Sequence, residues 1–397
     1  MIAGPLPRLL ALLAALSASL AAQEEVVARL RGLEFSGPVE VEVVEAEELG
    51  RLVEAEFDRR MAPARVEAMS ASLAAFGVVP RETPLRALLL DLWRGSLEGW
   101  YDRGAKKVWL VRGAGANVRL HELVHALDHQ HHDVVALSAA TEGDADAEMA
   151  VNALVEGTAT DVMVRSLLGE RLAASDDLSL GAISAYLSVR KWSDRADGDD
   201  ARARRARAFL LDLNSAPYAE GLRFVRALRA AGGPAEVERA FETPPATTEQ
   251  VLHPATWLRD RALPPPRVEL ADLAPALGEG FRLVETNRLG ELALRQILAH
   301  RLPFSIRGPD APTAAAGWEG DSYRVYEGPD RLALVWRTRW DRPEDAVEFE
   351  TAWRRLQRAV AEGIVSTTRR AGQTVDVVEG VPASAWPAVR DALAQGE

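Results

Sequence analysis

The chain has 397 residues, a formal net charge of −12 and no cysteine. This length is enough for two domains with their own hydrophobic cores. The acidic excess argues against a nucleic-acid partner, whose phosphates would be repelled. Without cysteine, disulfide bonds are excluded as a source of stability.

The first 22 residues have the pattern of a secretory signal peptide. Arg8 precedes an apolar core at residues 9–16, and Ser19-Leu20-Ala21 fits the small-x-small rule for cleavage. Because this apolar stretch is short for a membrane span, we expect no stable span after cleavage. We therefore expect an exported protein, periplasmic or extracellular in a bacterium, which suits a chain without cysteine.

The next segment alternates between strand and helix patterns. Residues 39–44 alternate as a strand, and residues 47–75 and 85–97 have helical patterns. Residues 100–111 place aromatic and β-branched residues around a glycine-containing turn, which predicts a β-hairpin.

The strongest chemical signal follows this hairpin, in the sequence His121-Glu122-Leu123-Val124-His125. Residues four apart lie on the same face of a helix, so the two imidazoles can bind one metal ion. Glu122 directly follows His121, at a position where its carboxylate can reach a water held by that metal. The pattern predicts a zinc hydrolase, most simply a peptidase.

A catalytic zinc normally takes three protein ligands, so a third ligand must come from elsewhere. Glu156 is the favoured candidate, because residues 144–168 predict a second long helix. Small residues around Glu156 would let this helix approach the first one closely. A glutamate from a second helix is the gluzincin arrangement.

His131 is the alternative third ligand. The spacing of His121, His125 and His131 is that of metzincins, but Asp128 stands where that motif has glycine. Aspartate adopts the left-handed conformation needed there only occasionally. We leave open which of Asp128, Asp133 and Asp161 orients a ligand from outside the metal site.

The rest of the chain predicts mostly helix and then a smaller unit. Residues 144–240 are helical, with breaks at 215–217 and 232–234, and residues 243–254 form a polar loop. Pro264-Pro265-Pro266 indicates a domain boundary.

Beyond the boundary we expect a helical hairpin at 273–302 and a small α+β unit. The predicted strands of that unit are 322–326, 332–338 and 374–378, and its predicted helices are 343–362 and 383–394.

The predicted fold class is α+β. Residues 1–22 are a signal peptide, and residues 23–263 are a mainly helical, zincin-like metallopeptidase domain with a small sheet. Residues 264–397 are an α+β accessory domain. In zincin folds the strand before the active-site helix is an edge strand that pairs with substrate peptides, so we expect this of the hairpin.

Several motifs together resemble a group of exported bacterial gluzincin-like metallopeptidases. These stretches are Ser96–Asp102, Val108–Val111, His121–Leu127, Val155–Ala159, Thr247–Pro254 and Gly317–Tyr323. The resemblance spans most of the mature chain and implies zinc bound by His121, His125 and Glu156, with Glu122 as base.

The chain departs from this group at Asp128 and His129, where the group tends to have glutamine and then aspartate. If that aspartate orients a zinc ligand in the group, another residue must do so here.

The expected reaction is hydrolysis of a peptide or protein substrate. Zinc lowers the pKa of its bound water, Glu122 accepts the proton, and a donor side chain helps to hold the oxyanion. His253 is the first candidate for that donor, followed by Tyr101 and Tyr218. The alternative function is an exported, non-catalytic binding or envelope-associated protein stabilised by zinc.

Overall fold

The computed structural model describes residues 22–96, 98–173, 201–261, 266–301, 310–357 and 363–394. Across these ranges the chain has an α+β fold with two sheets. No helix in these ranges is long and apolar enough to cross a membrane. The predicted signal peptide, except for its last residue, lies outside the described residues, as does residue 97.

The first part of the chain holds four helices and a small sheet. Its elements are α1 (22–31), β1 (Glu40–Val44), α2 (Ala46–Arg60), α3 (Pro63–Ala75), α4 (Leu85–Ser96), β2 (Gly99–Asp102) and β3 (Lys107–Val111). The prediction of one helix over 47–75 is wrong, because Pro63 cannot continue a helix and instead begins a new one. The predicted strand at 39–44 and the hairpin are confirmed.

The small sheet has the order β1-β3-β2. β1 pairs with β3 in parallel, and β2 pairs with β3 in the antiparallel sense. The expectation that β3 is an edge strand is therefore wrong, since both of its sides are hydrogen-bonded. In the described part of the chain the outer edges belong to β1 and β2.

The central part of the chain is helical. It contains α5 (Ala116–His131), α6 (Val134–Ala139), α7 (Ala145–Ala173), α8 (Ala201–Gly232), α9 (Pro234–Glu242), α10 (Thr248–Leu252) and α11 (Pro254–Asp260). The predicted break at 215–217 is wrong, because Pro217 lies inside α8. The break before Pro234 is confirmed, and Gly233 adopts a positive φ of 68° there.

Helix α5 lies between the small sheet and the long helices. Its apolar side chains, such as Leu123 and Leu127, share a hydrophobic cluster with Val108 of β3 and Met163 of α7. The polar side chains of α5 that lie between these apolar ones are thereby held in a fixed orientation.

The last part of the chain forms an antiparallel five-stranded sheet with helices. Its elements are α12 (Ala274–Leu277), β4 (Arg282–Asn287), α13 (Gly290–Arg301), α14 (Ala311–Ala315), β5 (Trp318–Glu327), β6 (Leu332–Trp340), α15 (Pro343–Leu356), β7 (Ile364–Ala371), β8 (Thr374–Pro382) and α16 (Trp386–Ala394). The strand order is β4-β5-β6-β8-β7.

Most predicted elements of this unit are confirmed, with three differences. The predicted helical hairpin at 273–302 is wrong, because residues 282–287 form β4 and pair with β5. Strand β7 was not predicted. The predicted helix at 343–362 begins where expected but ends at Leu356.

The C-terminal sheet shares a hydrophobic cluster with earlier helices. Phe76 follows α3 and packs with its ring edge against Tyr323 and Trp336 of the sheet, at centroid distances of 5.1 and 5.2 Å. Phe209 of α8 belongs to the same cluster. Residues 262–265 are not described, and the domain boundary at 264 remains a prediction.

Candidate metal centre

The predicted histidine pair lies on one face of α5, as its spacing indicates. The ring centroids of His121 and His125 are 4.7 Å apart. His121 is almost completely buried, and the side chain of His125 is 10% exposed. Both rings point towards α7, because the opposite side of α5 packs on the small sheet.

Glu156 of α7 completes a three-residue group. Its Oε2 atom lies 3.2 Å from His121 Nε2 and 3.4 Å from His125 Nε2. Two ligands bound at about 2.0–2.1 Å to one tetrahedral metal lie about 3.3–3.4 Å apart. One nitrogen from each histidine and one carboxylate oxygen, all within 4.8 Å of one another, therefore fit a metal ion. This donor set is one that catalytic zinc uses.

The electrostatics of the group favour a cation. Burial by itself raises the pKa of Glu156, but the two imidazoles reverse this and hold its pKa well below the ordinary value. Burial likewise lowers the pKa of His125, and the charges of Glu156 and Glu122 outweigh that effect and raise it. A buried carboxylate facing two imidazoles can be neutralised by protonating a ring or by binding a metal.

Glu122 is buried beside this group and is held by the hairpin. The backbone N–H of Tyr101 in β2 donates a hydrogen bond of 2.8 Å to Glu122 Oε2. A Cβ atom at Gly99 would lie 2.6 Å from Val118 Cγ1 and 3.1 Å from Glu122 Cγ. Glycine at position 99 therefore lets β2 approach α5 closely enough to make this hydrogen bond.

Close packing between α7 and α8 also positions Glu156. A Cβ at Gly157 would lie 2.3 Å from the backbone of Gly221 in α8, and a Cβ at Gly221 would lie 2.0 Å from Ala153 O. Gly157 of α7 thus allows close contact with α8. Helix α5 packs on α7 as well, and their shared hydrophobic cluster contains Leu123 of α5 and Ala159 and Val162 of α7.

Of the predicted oxyanion donors, Tyr218 of α8 is the one that lies beside the three candidate metal ligands. Its ring stacks on His121 at a centroid distance of 5.9 Å. Its hydroxyl donates a hydrogen bond to Glu156, and burial followed by the charges of Glu156 and Glu122 raises its pKa well above the ordinary value. Tyr101 instead has its hydroxyl 2.9 Å from His129 Nδ1.

His253 is not brought to the group. Its Nε2 lies 3.0 Å from both carboxylate oxygens of Glu291, at the start of α13. The surroundings of His253 also include Glu249 and Asp341. The structure thus places His253 in a different acidic cluster.

His131 also lies away from the group. Helix α5 continues without a break through Asp128 to His131, and six helical residues after His125 span roughly 9 Å. The ring of His131 lies 2.7 Å from the carbonyl oxygen of Glu34.

The three aspartates proposed to orient a ligand have other partners. Asp128 is buried and pairs with Arg31 at 2.7 Å. Asp133 caps α6 by accepting the N–H of Ala136. Asp161 accepts hydrogen bonds from Arg165 and Arg229.

Arg103, in the turn after β2, was missed by sequence reasoning. Its guanidinium interacts electrostatically with Glu156, His125 and Tyr101. A charged residue in a hairpin turn is usually solvated, so its sequence context gave no signal of this proximity.

Comparisons with known proteins are sparse. A family described as a domain of unknown function (DUF8575) matches residues 280–391, which contain none of the three candidate ligands. No curated protein matches the chain. A solved structure from Chloroflexus aurantiacus, described as a proposed hydrolase with a novel fold, is 19% identical. That match covers 62% of this chain and 89% of the other, with a TM-score of 0.34. At this level of similarity, neither its fold nor its activity is transferred to this chain.

Proposed function

We propose that the chain is an exported zinc-dependent hydrolase that cleaves peptide bonds. The observation that carries this proposal is the convergence of His121 Nε2 and His125 Nε2 on one oxygen of Glu156. Glu122, a further buried carboxylate, lies beside them. A purely structural metal site would not need Glu122, which supports catalysis over a non-catalytic zinc protein.

The arrangement of elements supports a zincin-like catalytic domain. Helix α5 carries the two histidines and packs on a small sheet, and α7 supplies the glutamate. Together with the motif set, this supports membership of the gluzincin-like group of exported metallopeptidases. The export itself is proposed from the signal-peptide pattern of residues 1–22.

Each residue of the group has a distinct role in the proposed reaction. His121, His125 and Glu156 would hold the zinc, which would supply a Lewis acid and lower the pKa of water towards about 7. Glu122, fixed by the Tyr101 N–H, accepts the proton of the attacking water and passes it to the leaving amine. An uncharged side-chain donor near the reacting carbonyl stabilises the developing negative charge.

Tyr218 is the donor that the contacts favour over His253. Its high pKa keeps the phenol protonated at neutral pH, and its hydroxyl lies within hydrogen-bond distance of Glu156. The ring stack on His121 fixes its position.

The test compares Glu122→Gln with the parent protein. We expect the variant to bind zinc stoichiometrically and to lose about 100- to 10,000-fold in hydrolysis of a library of unmodified peptides. Elemental analysis measures the zinc, and mass spectrometry of the peptides measures cleavage. Glu242→Gln, at an exposed helix end, is the matched control and should retain full activity.

Two outcomes contradict the proposal. Full activity of Glu122→Gln would show that the proposed base is wrong. Stoichiometric zinc without cleavage by the parent would instead favour a non-catalytic zinc protein.

A further inference from the structure

Arg103 is a partly buried cation with one hydrogen-bond partner among the described side chains. It lies in the turn between β2 and β3, partly buried, and its Nη1 donates a hydrogen bond of 3.2 Å to Ser138 Oγ in α6. Within the described ranges the guanidinium makes no ion pair with a carboxylate. The neighbouring Arg60 adds a like charge, which the smaller effects of Glu156 and Glu56 oppose.

The surroundings of Arg103 place it beside the metal group. Tyr101, two residues earlier, donates its N–H to Glu122 and contacts His129 of α5 through its hydroxyl. Ser138 belongs to the helix that follows α5. The guanidinium is therefore held between the hairpin and α6, next to the helix that carries the histidines.

Electrostatic effects agree with this placement. Burial and the charge of Arg60 lower the pKa of Arg103, and the carboxylate of Glu156 acts in the opposite direction. The charge of Arg103 in turn opposes protonation of His125 and His129. These effects agree with a position of the guanidinium close to Glu156 and His125.

A partly buried arginine without an anionic partner is energetically unfavourable in the free protein. The planar guanidinium fork matches a carboxylate with two parallel hydrogen bonds, and only one of its nitrogens is used by Ser138. An anionic ligand at this position would compensate both the charge and the unused donors.

We propose that Arg103 binds the free C-terminal carboxylate of the peptide substrate, so that cleavage occurs near the C-terminal end of short peptides. This inference rests on the hydrolase function proposed above. It names a substrate class, peptides with a free C-terminus, and assigns Arg103 the role of selecting them.

The test uses two matched libraries of N-acetylated tetrapeptides, one with free C-termini and one with C-terminal amides. We expect the zinc-loaded parent to cleave the free acids about 10- to 100-fold more efficiently than the amides. Arg103→Gln should lose this preference, so that it cleaves free acids and amides at similar rates, and Arg103→Lys should retain part of it. Arg112→Gln removes an exposed arginine paired with Glu45 and is the matched control.

Binding to Glu122→Gln, measured by equilibrium dialysis of the same libraries, separates this inference from the proposed reaction. Preferential retention of free acids that is lost on adding Arg103→Gln supports the inference even if the parent cleaves nothing. Cleavage of both libraries at equal rates overturns the inference and leaves the hydrolase function standing.

Two further outcomes overturn the role of Arg103. An equal loss of cleavage for acids and amides in Arg103→Gln would make Arg103 an oxyanion donor. A lower melting temperature of Arg103→Gln without ligand would make it a structural residue, whereas we expect a melting temperature no lower than that of the parent.

Discussion

Helix α7 carries two carboxylates that lie in contrasting environments. Asp146, near its start, is fully buried, and its Oδ1 accepts hydrogen bonds from Thr248 N at 2.9 Å and Thr248 Oγ1 at 2.5 Å. Glu156, near the middle, faces two imidazoles. One carboxylate accepts hydrogen bonds through one oxygen and pairs with Arg288 Nε at 3.4 Å through the other. The other carboxylate fits a site for a cation.

The region around Asp146 joins the two parts of the molecule. Thr248 Oγ1 also accepts the N–H of Leu292 in α13, and nearby Asp321 accepts the N–H groups of Leu289 and Gly290 and the indole N–H of Trp336. Buried polar groups linked by several hydrogen bonds of this kind specify structure. The contrast indicates that buried acids alone do not identify a functional site; their partners do.

The largest expected effect is a loss of stability when the carboxylate of Asp146 is removed. Asp146→Ala leaves the buried N–H and hydroxyl of Thr248 without their acceptor, so we expect a loss of about 3 kcal/mol in the free energy of unfolding. Denaturant unfolding of the metal-free protein measures it. Asp391→Ala at an exposed position is the control, and an equal loss in both variants would contradict the structural role of Asp146.

The next prediction concerns the affinity for zinc and not the stability of the fold. Glu156→Ala should weaken zinc binding by more than about 100-fold, because removing a ligand costs more than removing an outer partner. His131→Ala should leave zinc binding close to that of the parent. Competition with a chelator measures both affinities, and the reverse ranking would favour His131 as third ligand.

A smaller effect is expected where α7 and α8 touch. Gly157→Ala adds a Cβ that would overlap the backbone of Gly221, so the helices must separate at a cost of about 1–3 kcal/mol. We expect a lower melting temperature and, because Glu156 is adjacent, weaker zinc binding. Gly50→Ala, whose Cβ would lie 3.9 Å from Arg94 Nε, should be neutral or stabilising. Equal melting temperatures for both variants would show that the close contact is absent.

The smallest effect, when measured per unit of pH, is a pH dependence that distinguishes the two carboxylates. Burial raises the pKa of Asp146 to about 7, above its ordinary 3.8, whereas the pKa of Glu156 is lowered. The folded state therefore keeps the Asp146 proton after the unfolded state has lost it. Its contribution to stability falls as pH rises from about 4 to about 7, by at most about 1.4 kcal/mol per pH unit.

Asp146→Asn should reduce this pH slope of the unfolding free energy in metal-free protein, because an amide cannot titrate. An unchanged slope would show that Asp146 is already ionised in the folded state at low pH.

The sequence by itself determined the local features of this protein. The spacing of His121 and His125 fixes both rings on one face of a helix, because helical periodicity is set by the backbone. The hairpin, the long helices and three C-terminal strands follow from short-range patterns. Glu156 was favoured because its helix was recognisable, its neighbours were small and Asp128 gave little support to the alternative ligand His131.

Only the tertiary structure decided which distant groups meet. Sequence spacing does not specify that Gly157 lies against Gly221, that His253 pairs with Glu291, or that Arg103 has no carboxylate partner in the described part of the chain. β4 was mistaken for helix because its strand state depends on pairing with β5. Contacts between residues far apart in sequence depend on how whole elements pack, and that is why they lay beyond local patterns.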